Sequence, residues 1–144
     1  MLQYLVGSFV TAINIVVHAL ATIVVIQAAR AVGRQSRWQP WLLLVGAMVS
    51  TASLLIIAHT LEVFVWSSAY VVTGAAPAGS DPIDFAFVNY TTLGYGDVTP
   101  SKAWRLLGPM TAMNGVLMFG WSAAVLFEVL RKTVDLHVPV APPS

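Results

Sequence analysis

The chain has 144 residues, of which 58% are hydrophobic and 9% are charged. Because about a quarter of the residues of a soluble domain are charged, this composition excludes an ordinary soluble domain and predicts a membrane protein. The net charge of +1 leaves no basic surface for a nucleic-acid partner, and the lack of cysteine excludes disulfides and thiolate catalysis.

Three apolar segments are long enough to cross the hydrocarbon core of a bilayer, which takes about 20 helical residues. They run from about Tyr4 to Ala29, from about Trp41 to Tyr70 and from about Trp104 to Leu130. We therefore expect an all-α, multi-pass membrane protein that is surrounded by membrane lipids.

The basic residues predict the orientation of these spans. Arg30, Arg34 and Arg37 follow the first span, and Arg131 and Lys132 follow the third. Cytoplasmic loops carry an excess of Lys and Arg, and three crossings place both groups on the same side. We expect a protein of the plasma (inner) membrane with its N-terminus outside, its C-terminus in the cytoplasm and residues 71–103 outside.

The segment between the second and third spans predicts a re-entrant structure. The stretch "DPIDFAFVNYTT" reads as a short helix with Asp81 as N-cap, Pro82 at the first helical position and Asp84 at the capping-box position. About ten helical residues reach only about 15 Å, so this helix cannot cross the membrane. Non-helical chain at membrane depth is tolerated where it is buried in protein or lines water.

The stretch "TTLGYGD" follows this helix directly. Gly94 and Gly96 alternate with larger residues, and glycine accepts φ values that other residues resist, so consecutive carbonyls can point in one direction. A phosphate-binding turn is the alternative for a glycine-rich loop. The stretch lacks the third glycine of GxGxxG and follows no strand, which argues against that alternative.

This stretch resembles the filter signature of tetrameric pore-loop potassium channels, and the resemblance extends over residues 41 to about 130. The chain is similar to the small bacterial channels with a two-helix pore domain, with one additional N-terminal span. The resemblance implies a homotetramer, with three further copies of the chain as partners and the ion path on the axis. It implies no enzymatic activity and no cofactor, with K⁺ as the permeant ion.

The resemblance also divides the chain. Residues 1–40 would hold the N-terminal transmembrane helix and a cytoplasmic loop, and residues 133–144 a short cytoplasmic tail. The pore domain, residues 41–132, would comprise an outer helix (41–70), a turret (71–80), a pore helix (81–91), a filter (92–97) and an inner helix (104–132).

In channels of this kind the filter carbonyls coordinate the ion. The resemblance implies ion-coordinating residues at Thr92, Leu93, Gly94, Tyr95 and Gly96, with K⁺ at the first four. It implies that Thr91 and Asp97 support the filter.

The surroundings of Asp97 depart from the family pattern. Relatives often place a glutamate or tryptophan on the pore helix to bind this aspartate, whereas Val88 and Asp84 stand at those positions here. Tyr90 or a neighbouring chain is a possible substitute partner. Without such a partner, a weakly selective cation channel is the alternative function, and a non-conducting pore-fold subunit or sensor is another.

The third span contains the candidates for the cavity and gate. Phe119, Ala123 and Phe127 recur every four residues and share one helix face, which by resemblance lines the cavity. Ordinary helix packing is the alternative for this face. Gly115 lies in mid-span, where it is either a hinge or a close-packing glycine.

Glu62 and His59 are the costly residues of the second span, because a charge at a helix centre costs about 3 kcal/mol on insertion scales. They share a helix face and form either a proton-sensitive pair behind the filter or a hydrogen-bonded anchor. As metal ligands two groups are too few, and as the only paired acid–base candidates they do not indicate an enzyme. The anchor would join the pore helix or the third span through Asn89, Thr91 or Arg105.

Two further polar residues lie in the first span. Asn14 and His18 are four residues apart and therefore share one face of the predicted helix. We expect this face to pack against the second span.

Overall fold

A computed structural model describes residues 1–33, 39–96 and 98–137, so the predictions for Arg34, Arg37 and Asp97 lie outside the described residues. Within these ranges the chain is helical and has no strand, which confirms the all-α prediction. A 3-10 turn, Lys102–Trp104, precedes the last helix. The four α-helices are α1 (Leu2–Gly33), α2 (Pro40–Thr73), α3 (Pro82–Tyr90) and α4 (Leu107–His137).

Three of these helices are long and apolar enough to cross a membrane. The most apolar windows of α1, α2 and α4 have mean hydropathies of 2.4, 2.2 and 1.5. Each helix exceeds the roughly 20 residues that a bilayer core requires. The chain is therefore a multi-pass membrane protein.

The outer helix, α2, is longer than the predicted 41–70. Pro40 occupies its first turn, where a missing N–H costs no helical hydrogen bond. Its C-terminal cap is Gly74, whose left-handed φ of 64° lets its N–H reach the last carbonyls of the helix. Residues 71–73 therefore belong to the helix and not to the predicted turret, and Ala75 beyond them is buried.

The short helix α3 forms as its sequence predicts. The side chain of Asp81 accepts a hydrogen bond of 2.8 Å from the N–H of Ile83, which confirms Asp81 as the N-cap, and Pro82 begins the helix. The helix ends at Tyr90, one residue before the predicted end. With 9 residues it is far too short to span the membrane.

The predicted start of the inner helix, residue 104, is wrong. Residues 105 and 106 form a turn between the 3-10 turn and the helix, and the N–H of Leu106 donates to the side-chain oxygen of Gln3 at 2.9 Å. Helix α4 begins at Leu107, and Pro109 falls in its first turn, where no N–H partner is lost.

The predicted end of the inner helix, residue 132, is also wrong, because α4 continues to His137, through the first five residues of the predicted tail. Glu128 forms ion pairs with Arg131 at 2.9 Å and with Lys132 at 3.0 Å. Such pairs, three and four residues apart, each stabilise a helix by about 0.2–0.5 kcal/mol. They support the helix just where the apolar span ends.

Helices α2 and α4 pack against each other, and both α1 and α3 pack against this pair. The larger core surrounds α3 and the first half of α4. Its buried members are Val10, Val63, Trp66, Tyr70, Ala75, Phe85, Ala86, Tyr90, Leu107 and Met118. A smaller core joins the other ends of the long helices through Val25, Ala47, Leu55 and Val129.

Replacing Asp81 by alanine tests the cap of α3. We expect Asp81→Ala to lower the free energy of unfolding by about 1 kcal/mol, since it removes the acceptor for an N-terminal N–H. Unfolding by SDS in mixed micelles measures this change. Asp81→Asn, which keeps a capping oxygen, is the control; an equal loss in both variants would show that the cap is not the cause.

Candidate functional site

The residues after α3 are tied to its last turn. The backbone N–H groups of Thr91, Thr92 and Leu93 donate to carbonyls of residues 87–89 at 2.9, 3.1 and 3.0 Å. The predicted filter therefore leaves the C-terminal end of α3 at a fixed place and direction.

Every second residue of this segment has a left-handed backbone conformation, with a positive φ. Thr92, Gly94 and Gly96 have φ values of 59°, 56° and 85°, all in the left-handed region. Glycine adopts this region freely, whereas a β-branched residue there stores about 1–3 kcal/mol of strain, which is typical of functional sites. When the hand alternates, successive peptide groups can turn the same way, with their carbonyls on one side.

The side chains of this segment find little support within one chain. Leu93 is 56% exposed and Tyr95 is 70% exposed. A Cβ placed on Gly96 would have no atom within 4 Å. The segment is therefore a free surface of the single chain.

The region around Asp97 is described only in part. Asp84, Val88 and Tyr95 line a shallow cleft beside α3, and the first two are the positions at which relatives carry a partner for the filter aspartate. The hydroxyl of Tyr90, the substitute considered above, bonds Glu62 and His59 instead. Asp97 itself lies outside the described residues.

The most polar site of the chain is buried where all four helices meet. The carboxylate of Glu62, fully buried on α2, lies 2.8 Å from Nδ1 of His18 on α1 and 3.2 Å from Nδ1 of His59. It also accepts a hydrogen bond from the hydroxyl of Tyr90, the last residue of α3. On the far side, both imidazole Nε2 atoms approach Oγ of Ser122 on α4, at 2.9 Å from His59 and 3.4 Å from His18.

This arrangement is the hydrogen-bonded anchor between α2 and the pore helix, with a different partner from those expected. The side chain of Asn89 donates to the carbonyl of Phe85, and that of Thr91 donates to the carbonyl of Phe87. The pore helix contributes Tyr90 instead. The expectation that Asn14 and His18 pack on the second span is confirmed.

A second buried group extends the site away from Glu62. Asn14 donates to Oδ1 of Asn114 at 2.7 Å and to the backbone carbonyl of Glu62 at 3.3 Å. The indole N–H of Trp66 also donates to Oδ1 of Asn114, at 2.8 Å. This second group joins α1, α2 and α4, and it lies one to two helical turns from the first along each of them.

The inner helix touches the pore helix at Gly115. A Cβ at this position would overlap the carbonyl oxygen of Tyr90, so only glycine allows the observed approach. Phe119, a predicted cavity residue, packs against His59 with tilted rings whose centres are 4.7 Å apart, and edge-on against Tyr90 at 5.4 Å. The contact between Gly115 and Tyr90 corresponds to the close-packing alternative for this glycine.

The other two predicted cavity residues lie on an open face. Ala123 is exposed, and Phe127 is 64% exposed. The structure therefore leaves this face of α4 available in the single chain and brings only Phe119 to the buried cluster.

Sequence reasoning missed two members of the cluster, Tyr90 and Ser122. A signal existed for Ser122, which is a hydroxyl in the middle of an apolar span three residues from Phe119. For Tyr90 the signal was its place at the end of the pore helix, but its neighbours Asn89 and Thr91 were the more obvious polar candidates.

Removal of the Tyr90 hydroxyl tests the cluster. Tyr90→Phe keeps the ring contacts and leaves Glu62 with one donor fewer, so we expect a loss of about 1–3 kcal/mol in the free energy of unfolding. Tyr4→Phe makes the same chemical change at a residue that is 57% exposed and should cost nothing measurable. SDS titration of both variants checks this, and equal stabilities would contradict the cluster's role.

Comparison with known proteins agrees with this architecture. A family model described as an ion channel matches residues 54–132, more than half of the chain, including α3, the segment after it and most of α4. No curated protein and no solved structure matches the chain. With three membrane-spanning helices and this match, the chain belongs to the ion channel family.

Proposed function

We propose that four copies of this chain form a potassium-selective channel that conducts K⁺ passively along their common axis. The observation that carries the proposal is the alternating backbone of residues 92–96, on an exposed segment at the end of α3, in a member of an ion channel family. No chemical step and no cofactor are involved.

The proposed ion sites use backbone carbonyls and the Thr92 side chain. Rings of carbonyl oxygens replace the hydration shell of K⁺ in filters of this kind. In this chain the sites would be at Thr92, Leu93, Gly94 and Tyr95, with Gly96 ending the column. The C-terminal end of α3 carries a partial negative charge, which favours a cation beyond it.

The proposed tetramer follows from the incomplete coordination that a single chain could offer an ion. One segment can place oxygens on one side of an ion only, so a full coordination shell requires further copies around the same axis. The exposed Leu93 and Tyr95 would then pack between subunits, and the open face of α4 with Ala123 and Phe127 would face the axis. The proposed orientation places the filter outside and the C-terminal end of α4 in the cytoplasm, in the plasma (inner) membrane.

Two glycines with the same backbone conformation test the filter. Gly96 and Gly79 both have a φ of 85°, and an added Cβ meets no atom within 4 Å at either. Gly96→Ala and Gly79→Ala therefore impose similar local strain, but only the first lies in the filter. We expect Gly96→Ala to abolish K⁺ flux and Gly79→Ala to retain it.

The measurement is dye uptake into liposomes loaded with K⁺ and diluted into Na⁺, with purified protein. Equal flux of Na⁺ when the gradients are exchanged would contradict K⁺ selectivity and favour a weakly selective cation channel. Lack of flux in the unmodified protein across pH and lipid composition would favour a non-conducting pore-fold subunit.

The stoichiometry is a separate prediction. Native mass spectrometry from detergent should give the mass of four chains, since each chain contributes one quarter of the proposed filter. A monomer or dimer that still conducts K⁺ selectively would contradict the proposed pore.

A further inference from the structure

We propose that His18, His59, Glu62 and Tyr90 form a buried binding site for one divalent transition-metal ion of the Zn²⁺ class. This inference is independent of the proposed ion conduction. It concerns a site behind the filter, on the side of α3 that faces α1 and α2.

The donor atoms already converge. One ligand atom from each of His18, His59 and Glu62 lies within 4.8 Å of the other two. The phenol oxygen of Tyr90 lies 3.0 Å from Nδ1 of His59 and bonds the carboxylate of Glu62. Two imidazole nitrogens and one carboxylate form a donor set of two histidines and one glutamate that Zn²⁺ sites use. The phenol oxygen of Tyr90 is the fourth ligand once its proton, now donated to Glu62, is released on metal binding.

The distances fit a four-coordinate ion. With metal–ligand bonds of about 2.0–2.2 Å, ligands of a tetrahedral site lie about 3.3 Å from one another. The His18–Glu62, His59–Glu62 and His59–Tyr90 pairs, at 2.8, 3.2 and 3.0 Å, need to open by a few tenths of an ångström. The Tyr90–Glu62 hydrogen bond is shorter than these and must open the most, because the ion takes the place of its proton. One ring nitrogen of each histidine lies within 4.8 Å of one ring nitrogen of the other, so the imidazoles close on the ion by a small movement.

The acceptor for the other ring nitrogen of each histidine is in place as well. A histidine that binds a metal through Nδ1 carries its proton on Nε2 and normally donates it to a nearby acceptor. Here both Nε2 atoms face the same Oγ of Ser122, at 2.9 and 3.4 Å. A hydroxyl oxygen has two lone pairs and can accept both bonds. An ion bound at both Nδ1 atoms leaves the proton of each imidazole on Nε2, where Ser122 already provides the acceptor.

The charge of the buried cluster and the exposure of its side chains are compatible with a bound cation. The Glu62 carboxylate is fully buried in a membrane-spanning helix, where an ionisable side chain is costly and usually functional. A divalent cation compensates its charge more completely than neutral hydrogen-bond donors do. The His59 side chain is 16% exposed, whereas those of His18 and Glu62 are fully buried, so the ion would enter past His59.

Cobalt titration of the purified full-length protein, with its affinity tag removed, tests the site. Co²⁺ occupies Zn²⁺ sites, and its visible absorption is intense only in four-coordinate geometry. We expect one Co²⁺ per chain, with intense visible bands that Zn²⁺ abolishes by competition. The affinity should fall by at least about tenfold in both His18→Gln and His59→Gln.

His137→Gln is the matched control, because it removes the chain's remaining histidine from a place outside the cluster. Ser122→Ala keeps every ligand and removes only the acceptor for both Nε2 atoms, so it should weaken binding by about 10–100-fold without changing the stoichiometry. This variant keeps the test open if a histidine variant fails to fold.

Three results would overturn the site. They are the lack of saturable Co²⁺ binding by the folded unmodified protein, unchanged affinity in the folded ligand variants, and an equal loss in His137→Gln. None of these results depends on flux, so the channel proposal and the metal site can fail separately.

Discussion

The buried carboxylate of Glu62 is the constraint on which the arrangement of the helices depends. In the membrane interior an ionisable group must be satisfied by protein, because lipid offers no hydrogen bonds. The partners come from each of the other helices, namely His18 on α1, Tyr90 on α3 and, through the histidines, Ser122 on α4. Individual bonds of this kind contribute about 0.6 kcal/mol on average, so their importance lies in fixing positions jointly.

The first helix is part of this constraint although it lies outside the family match. The matched region begins at residue 54, whereas His18 and Asn14 on α1 bond the side chain and the backbone of Glu62. Without α1 the carboxylate would keep only His59 and Tyr90. The matched part of this chain is therefore bonded to a helix that lies outside the match.

Local signals in the sequence were sufficient for much of the fold. The lengths of the apolar segments gave three spans, and Asp81–Pro82 gave the start of α3, because capping depends on neighbours in sequence. The start of α4 has no local signal of this kind, because the residue before it is Leu106, which offers no capping oxygen. The N–H of Leu106 instead donates to Gln3, more than 100 residues away.

The candidate site shows the same division between local and long-range information. Glu62 and His59 were recognisable as costly polar residues in an apolar helix, and Gly94 and Gly96 as positions that permit a left-handed backbone. The pairing of His18 with Glu62 joins residues 44 apart, and no periodicity encodes it. The choice of Tyr90 over its neighbours depends on the rotation of α3, where one residue corresponds to about 100°.

The close approach of Gly115 to Tyr90 determines how α4 can pivot. At this point α4 is in direct contact with the last residue of α3, just before residues 92–96, so a movement of α4 that leaves α3 unchanged must keep this contact. Phe127 lies about 18 Å farther along the helix axis. A tilt of only about 10° about the contact would move Phe127 by about 3 Å, which is about the diameter of a water molecule. Gly115 is thus the point about which such a tilt of α4 would turn, and the end of the helix beyond Phe127 is the part that it would move most.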